Sequence, residues 1–171
     1  MSQLSHDNKG DGSDLFNKAM FGYFLPYIRC VTEVRRAPSD CTAEGYCFVF
    51  RVYFSHQLDV EFGFAEHQEA AQARRDLILH MIDFWGTDIV FLDGFNSDVT
   101  VLPAILDVTE LFEKDDRICF SVILADVPHP VHLVCKDPAA AQTYHQCLAA
   151  KIEQRRRRAG LQQHQEAAAI A

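Results

Sequence analysis

The segment HPVHLVC, residues 129–135, contains the side chains best suited to metal chemistry. His129, His132 and Cys135 offer two imidazoles and a thiol, which are zinc ligands, and an HxxH spacing can chelate. On a strand, however, alternation places His132 and Cys135 on opposite faces. A second pair of ligands is not visible. We therefore predict no metal site and interpret the histidines as a turn residue and a sheet-surface residue.

A second candidate is the carboxylate-rich stretch between residues 88 and 116. Its eight acidic residues, against one lysine, are Asp88, Asp93, Asp98, Asp107, Glu110, Glu113, Asp115 and Asp116. Paired carboxylates can perform acid–base chemistry or bind calcium, but the segment DGFNSDVT lacks the residue order of a calcium loop. The stretch is either a solvated acidic rim or a partner-docking surface. The docking interpretation assigns contact to Asp107, Glu110, Glu113, Asp115 and Asp116.

Nucleophilic catalysis and phosphate binding have little support in the sequence. Ser55 beside His56, and Cys47, stand in no motif such as GxSxG. The eight glycines are scattered, without a GxGxxG or GK[ST] loop. We predict no catalytic residue and no cofactor, and the sequence favours a non-catalytic protein.

Four consecutive arginines, Arg155 to Arg158, stand at the end of the second predicted helix. Such a run can bind an acidic or phosphate-rich partner, or serve as a nuclear address. Cations at a helix C-terminus also complement the helix dipole, and Gly160 is then expected to end the helix. Both interpretations stay open, and the four arginines are candidate partner-binding residues.

The overall composition limits the class of protein and its partners. Of 171 residues, 49% are hydrophobic and 23% charged, as in globular proteins, and the net charge is −8. Residues 1–150 carry 11 − 22 = −11 and residues 151–171 carry 5 − 2 = +3. The acidic body argues against nucleic-acid or membrane binding, except for weak contact through the arginines. We expect a protein partner.

Two further features of the sequence predict a cytoplasmic protein. The sequence has no run of about 18 apolar residues that would span a membrane, and the N-terminus lacks a signal-peptide pattern. The six cysteines have no CxxC pair and are interpreted as free thiols of a reducing compartment.

The secondary-structure elements that position these residues are predicted from an internal sequence repeat. LPYIRCVTEV at residues 25–34 and LPAILDVTEL at 102–111 share six identities in nine ungapped positions, at an offset of 77. Cys47-Phe48 returns as Cys119-Phe120, and the AAQ of residues 70–72 returns at 140–142. The common order of these matches predicts an internal duplication, with copies at about 24–84 and 101–157.

Each copy is predicted to be a βββα unit. The strands begin with VTEV (31–34) and VTEL (108–111), continue with residues 46–54 and 117–124, and close hairpins with 58–65 and 130–137. Helices follow at about 66–84 and 138–157, the second capped by Asp137 and begun by Pro138. Their apolar stripes are Ala70, Ala73, Leu77, Met81 and Phe84, and Ala141, Tyr144, Leu148 and Ile152.

The remaining segments complete the predicted organisation. Residues 88–94 form a further strand, and DGFNSDVT (93–100) is a loop by composition. We predict one α+β domain over residues 14–157, with mainly antiparallel sheets and two helices. Residues 1–13 and 158–171 are expected to be flexible termini.

Residues 105–152, ILDVTELFEKDDRICFSVILADVPHPVHLVCKDPAAAQTYHQCLAAKI, resemble the C-terminal half of a pleckstrin-homology-like domain. That half has three antiparallel strands followed by one capping helix. Lipid-binding members carry Lys and Arg in the first hairpin, whereas this hairpin is SHQLDVEF. The resemblance therefore implies binding of peptides or partner proteins.

Two classes of function follow. The favoured class is a non-catalytic intracellular interaction module, acting as an adaptor or as a subunit of a larger assembly. The alternative is a small-ligand or lipid-binding domain, or an enzyme whose pocket lies between the two copies.

Overall fold

The computed structural model describes residues 22–39, 45–92, 97–135 and 137–170. Within these ranges the chain forms ten strands and two α-helices, all paired strands being antiparallel. The predicted α+β class with mainly antiparallel sheets and two helices is confirmed. Residues 1–13 and Asp93 lie outside the described residues, and the predicted domain limits stay a prediction.

The first sheet contains six strands and is covered on one face by helix α1, His67–Trp85. The strands are β1 Ile28–Val31, β2 Arg35–Arg36, β3 Phe48–Phe54, β4 Asp59–Phe64, β5 Ile89–Phe91 and β6 Val99–Val101. Strand β3 pairs with β4 on one side and with β1 and β2 on the other, and β6 and then β5 extend the sheet beyond β1. Aromatic and β-branched residues dominate β3 (FVFRVYF), which suits a central strand.

The second sheet contains four strands and packs against helix α2, Pro138–Ile170. The strands are β7 Ile105–Val108, β8 Phe112–Lys114, β9 Arg117–Leu124 and β10 Val131–Cys135. Strand β9 is central, with β10 on one side and β7 and β8 on the other. The predicted cap of α2 is confirmed, since the Ala139 N–H donates to Asp137 Oδ1 at 3.0 Å.

Two apolar clusters form the core of the described ranges. The first lies between α1 and one face of the first sheet, with Phe50, Leu77 and Met81 fully buried. The second joins α2 and the second sheet to the opposite face of the first sheet, where Cys30 and Tyr53 are buried. The second cluster therefore fastens the two sheets together.

The two halves of the chain repeat the same pairing pattern. Strand β1 pairs with β3 through Ile28–Phe54, Cys30–Tyr53 and Val31–Val52, with an irregularity between the first two pairs. Strand β7 pairs with β9 in the same way, 77 positions later for β7 and 70 positions later for β9 (Ile105–Leu124, Asp107–Ile123, Val108–Val122). Each LP motif folds as a 3₁₀ turn before its strand, Leu25–Tyr27 or Leu102–Ala104.

Side-chain hydrogen bonds repeat as well. Thr32 Oγ1 accepts the Arg51 N–H at 2.9 Å, and Thr109 Oγ1 accepts the Ser121 N–H at 2.9 Å. These threonines follow β1 and β7, and the chain leaves the ladder there because the hydroxyl takes the place of a backbone acceptor. The predicted strands VTEV and VTEL were therefore wrong in extent, since β1 ends at Val31 and β7 at Val108, the first residue of each predicted strand.

Two of the sequence matches do not mark equivalent positions. The buried helix residues Ala70 and Leu77 correspond to Ala141 and Leu148, an offset of 71, whereas the AAQ match required 70. The fully buried strand residue Phe50 corresponds to Phe120, so the Cys-Phe match was also shifted. The burial pattern defines which positions of the two halves are equivalent. Of the three sequence matches, only LPxIxxVTE agrees with these equivalent positions.

Three predicted boundaries or faces were wrong. Val99–Val101 is a strand, although the loop predicted over 93–100 included its first two residues, because all three of its residues pair with β1 or β5. Phe84 is half exposed, and its place in the buried stripe of α1 is taken by Arg74 and Ile78. Helix α2 continues past Gly160 to Ile170. The stripe predicted for α2 is confirmed, with Tyr144 partly buried.

Candidate interaction surface

The four arginines of α2 point to different neighbours, because successive helical residues are about 100° apart. Arg156 Nη2 donates to Leu106 O at 2.5 Å and lies 3.8 Å from the Asp107 carboxylate. Arg155 donates to Leu102 O at 3.3 Å. Arg157 pairs with Glu153 of the same helix at 3.0 Å. The run is therefore not a single basic surface.

Arg155 and Arg158 border a groove of about 320 Å³ between α2 and the segment that precedes β7. Its lining is Thr87, Asp88, Leu102, Pro103, Lys151, Gln154, Arg155 and Arg158. Three cations against one carboxylate favour an acidic occupant. The i, i+4 spacing of Lys151 and Arg155 indicates from the sequence that both lie on one side of the helix. The opposite wall, formed by Thr87, Asp88, Leu102 and Pro103, is distant in sequence and could not be predicted in this way.

The five predicted acidic contact residues are all exposed, and they lie on or just after β7 and β8. Asp107 belongs to β7, Glu110 follows it, and Glu113 belongs to β8. Asp115 and Asp116 have φ angles of 52° and 59° and form the two-residue turn between β8 and β9. Asp is favoured in such turns, so this pair has a structural role.

The face of the second sheet that points away from α2, here called the outer face, exposes apolar side chains. Cys119 lies between Phe112 and Val134 in the cross-strand register. Phe112 is 39% exposed, Ile123 37% and Val134 42%. Phe112, Cys119 and Val134 are cross-strand neighbours and form one apolar patch, and Ile123 lies further along β9, beyond Ser121.

The equivalent face of the first sheet carries an ion-pair network. Arg51 contacts Asp59 at 3.3 Å and Glu61 at 2.9 Å, and Arg35 contacts Glu61 at 3.6 Å. In the matching registers, Phe112 stands at the position of Arg35 and Ser121 at that of Arg51. The two faces share a backbone pattern but differ in chemistry.

A serine and a histidine also meet on the outer face. Ser121 Oγ and His132 Nδ1 are 2.7 Å apart across β9 and β10. Ser121 is only 4% exposed, so a substrate carbonyl has little access to its hydroxyl. The other candidate pair, Ser55 and His56, lies in the 3₁₀ turn between β3 and β4. Both pairs are consistent with structural roles.

A groove of about 260 Å³ lies between the two halves, with Cys30 and Asp98 on one side and His129 and His132 on the other. Burial, followed by the charge of Asp98, raises the pKa of the Cys30 thiol well above its ordinary value. Cys30 is therefore a protonated, weakly nucleophilic thiol at neutral pH. In the described part of the chain, no three His, Cys, Asp or Glu side chains are grouped so as to hold a metal ion.

Comparison of the chain with protein-family models, with curated proteins and with solved structures gave no match. Over the described ranges, neither helix combines the length and the apolar character needed to cross a lipid bilayer.

Proposed function

We propose that the protein is a non-catalytic, intracellular, cytoplasmic interaction module, acting as an adaptor or as a subunit of a larger assembly. The observation that carries this proposal is the contrast between the two sheets. On the face away from its helix, the first sheet carries ion pairs, whereas the second sheet presents the neighbouring Phe112 and Val134 there, with Ile123 further along β9. Contiguous exposed apolar residues beside charged ones are typical of protein-binding surfaces.

The acidic residues predicted to bind partners lie beside this surface, whereas the predicted arginines lie on α2, which packs on the other face of the sheet. Asp107, Glu110 and Glu113 lie on or beside β7 and β8 and form the rim of the proposed interface. The groove at Arg155 and Arg158 would take an acidic group of the same or a second partner. Nucleic acid and membrane are not proposed as partners, because the chain is acidic overall.

We also propose that the chain arose by duplication of a βββα unit, with a pleckstrin-homology-like segment at residues 105–152. The repeated strand registers and the repeated threonine hydrogen bonds support the duplication. The strand order and closing helix of residues 105–152 are compatible with the pleckstrin-homology-like segment. Members of that superfold without a basic first hairpin would bind peptides or proteins.

A ligand-binding domain or an enzyme with its pocket between the halves is the second candidate. The groove between Cys30 and His132 is the observation that favours it. The buried Cys30 thiol of the groove is protonated, and Ser121, which contacts the groove residue His132, is 4% exposed, so neither is an activated nucleophile and we place this candidate second.

Affinity capture of the tagged full chain from its native cell tests the proposal. The double variant Phe112→Arg/Val134→Lys introduces charge on the outer face, as in the first sheet. We expect stoichiometric partners of the wild-type chain to fall by at least about tenfold, because a charge must be desolvated at the interface core.

The matched control is Leu58→Lys/Val60→Lys, which adds the same charge to two exposed apolar residues, one just before β4 and one within it. This control should retain the partners. A wild-type chain recovered alone, or equal losses in both double variants, would contradict the proposed function.

A further inference from the structure

In the described ranges, no strand pairs with the edge of β7 that faces away from β9, here called the outer edge, whereas β6 pairs with the equivalent edge of β1. In the first half, β6 pairs with β1 through Cys30–Thr100 and Val31–Val99. The corresponding residues of β7 are Asp107 and Val108, which pair only with β9 over the described part of the chain. In the first half, β6 therefore shows which kind of strand pairs with an edge of this geometry.

Side chains take the place of that strand at β7. Thr109 donates its N–H to Ser121 of β9, so by alternation the Val108 N–H points to the outer edge. Asp107 Oδ1 accepts this N–H at 3.0 Å, and Arg156 donates to Leu106 O at 2.5 Å.

The first half shows what these two side chains replace. Arg29 O, the equivalent of Leu106 O, accepts the hydroxyl of Thr100 on β6 at 2.6 Å. Asp107 and Arg156 are more than half exposed and 3.8 Å apart, so their mutual attraction is weak. An incoming strand could displace them at little cost.

We propose that the β7 edge accepts an antiparallel strand of another protein in the position that β6 occupies on β1. Backbone hydrogen bonds to β7 give the affinity, and a Lys or Arg of the strand replaces Arg156 beside Asp107. This inference rests on the proposed function, because it names the kind of partner that the second sheet binds.

Charge selects the occupant. Asp107, Glu110 and Glu113 follow the edge, so a second copy paired through its own β7 would bring like charges together. A strand with β-branched residues at alternate positions and Lys or Arg at its ends meets the acidic residues with opposite charge. The exposed Leu106, at 51%, adds apolar contact for such a strand.

The test is an NMR titration of the ¹⁵N-labelled full chain with three capped peptides. The first is KVTVTVK, which extends the VTV sequence of β6, the second is EVTVTVE, and the third is KVTVTVK with N-methylated central residues. We expect saturable shifts at the amides of residues 106–109 with the first peptide. Binding should be at least about fivefold weaker for the second and lost for the third, since charge and backbone donors are removed in turn.

Two variants distinguish the effect of Arg156, which contacts the β7 edge, from that of a neighbouring arginine of α2. Arg156→Ala should tighten KVTVTVK binding by about two- to fivefold, because the competing side chain is gone. Arg157→Ala, whose arginine pairs within α2, should leave it unchanged. Shifts confined to other strands, no shift at millimolar peptide, or equal affinity for all three peptides would overturn the inference.

Sedimentation of the same sample gives the last arm. A dimer that dissociates as peptide is added would assign the edge to a second copy and overturn the inference. Either failure leaves the proposed function to be decided by the outer-face capture experiment, which does not involve β7.

Discussion

Replacement of the buried guanidinium of Arg74 should destabilise the protein more than replacement of its counterpart in the second half. Arg74 is 3% exposed and donates from Nε to Thr32 O at 2.6 Å and from Nη2 to Ser97 O. His145, 71 positions later, contacts Thr109 O through Nε2 at 2.8 Å. The same site thus holds a cation with two carbonyls in one half and an imidazole with one carbonyl in the other.

The magnitude for Arg74→Met follows from these bonds. A hydrogen bond from a charged donor contributes about 1.5–3 kcal/mol, so two contribute about 3–6 kcal/mol. Burial lowers the pKa of the guanidinium, which means that desolvation of the cation opposes part of this gain, although Asp98 acts in the other direction. We expect a net loss of about 2–4 kcal/mol in the free energy of unfolding.

The matched variant is His145→Met. It removes one contact of about 1 kcal/mol and an edge-to-face contact with Phe120, whose ring centroid is 5.2 Å away. We expect a loss of about 1–2 kcal/mol, less than for Arg74→Met. Urea unfolding with matched m-values measures both free energies.

A second readout locates the effect. Arg74 connects the end of β1 to Ser97, just before β6, so Arg74→Met should increase hydrogen exchange at Val99–Val101. If Arg74→Met does not fold, Arg74→Lys keeps the charge but not the fork of donors and should show the same exchange. A loss below about 1 kcal/mol, or a loss no larger than that of His145→Met, would refute the reasoning.

Two further predictions concern a tight contact and the thiols. Gly63→Ala places a Cβ 2.7 Å from Tyr46 Cγ and should lower the free energy of unfolding by about 1–3 kcal/mol, and much less in a Tyr46→Ala background. Equal losses in both backgrounds would contradict this account. Iodoacetamide at pH 8 should label the exposed Cys47 and Cys147, while Cys30 reacts only in urea, as peptide mapping would show. Labelling of Cys30 in the native chain would contradict its burial. Because burial raises the pKa of the Cys30 thiol, the contribution of this thiol to stability is full below the ordinary thiol pKa of about 8.5 and falls as the pH rises above it. Urea unfolding between pH 8 and 10 measures this fall.

Local chemistry was sufficient to predict some elements closely. Strand β9 was expected at residues 117–124 and has those bounds, because RICFSVIL is apolar and β-branched and is bounded by turns. The start of α2 was also correct, since Asp137 caps the helix and Pro138 suits its first turn. In both cases the deciding interactions lie within a few residues.

Long-range contacts decided the elements that the sequence did not predict. Arg74 was not among the residues predicted for the buried stripe of α1, yet it is buried, and its acceptors lie 42 and 23 residues away. Strand β6 is three residues long and exists through its partners β1 and β5. The Arg156–Asp107 contact of the candidate site also joins residues that no local pattern connects.

In the described part of the chain, one edge of β7 has no covering strand, and the ends of the two helices account for this difference from β1. Helix α1 stops at Gly86, whose φ of 54° is in the region that favours glycine, and the chain then returns as β5 and β6 to cover β1. The equivalent position in the second half is Arg157, a good helix former, so α2 continues instead of returning. Trp85 donates to Leu25 O at the end of α1, and Arg155 donates to the equivalent Leu102 O, so the two helices follow the same course up to this point. Over the described ranges, a difference at one helix end therefore accompanies a strand that covers β1 and leaves the proposed binding edge of β7 unpaired.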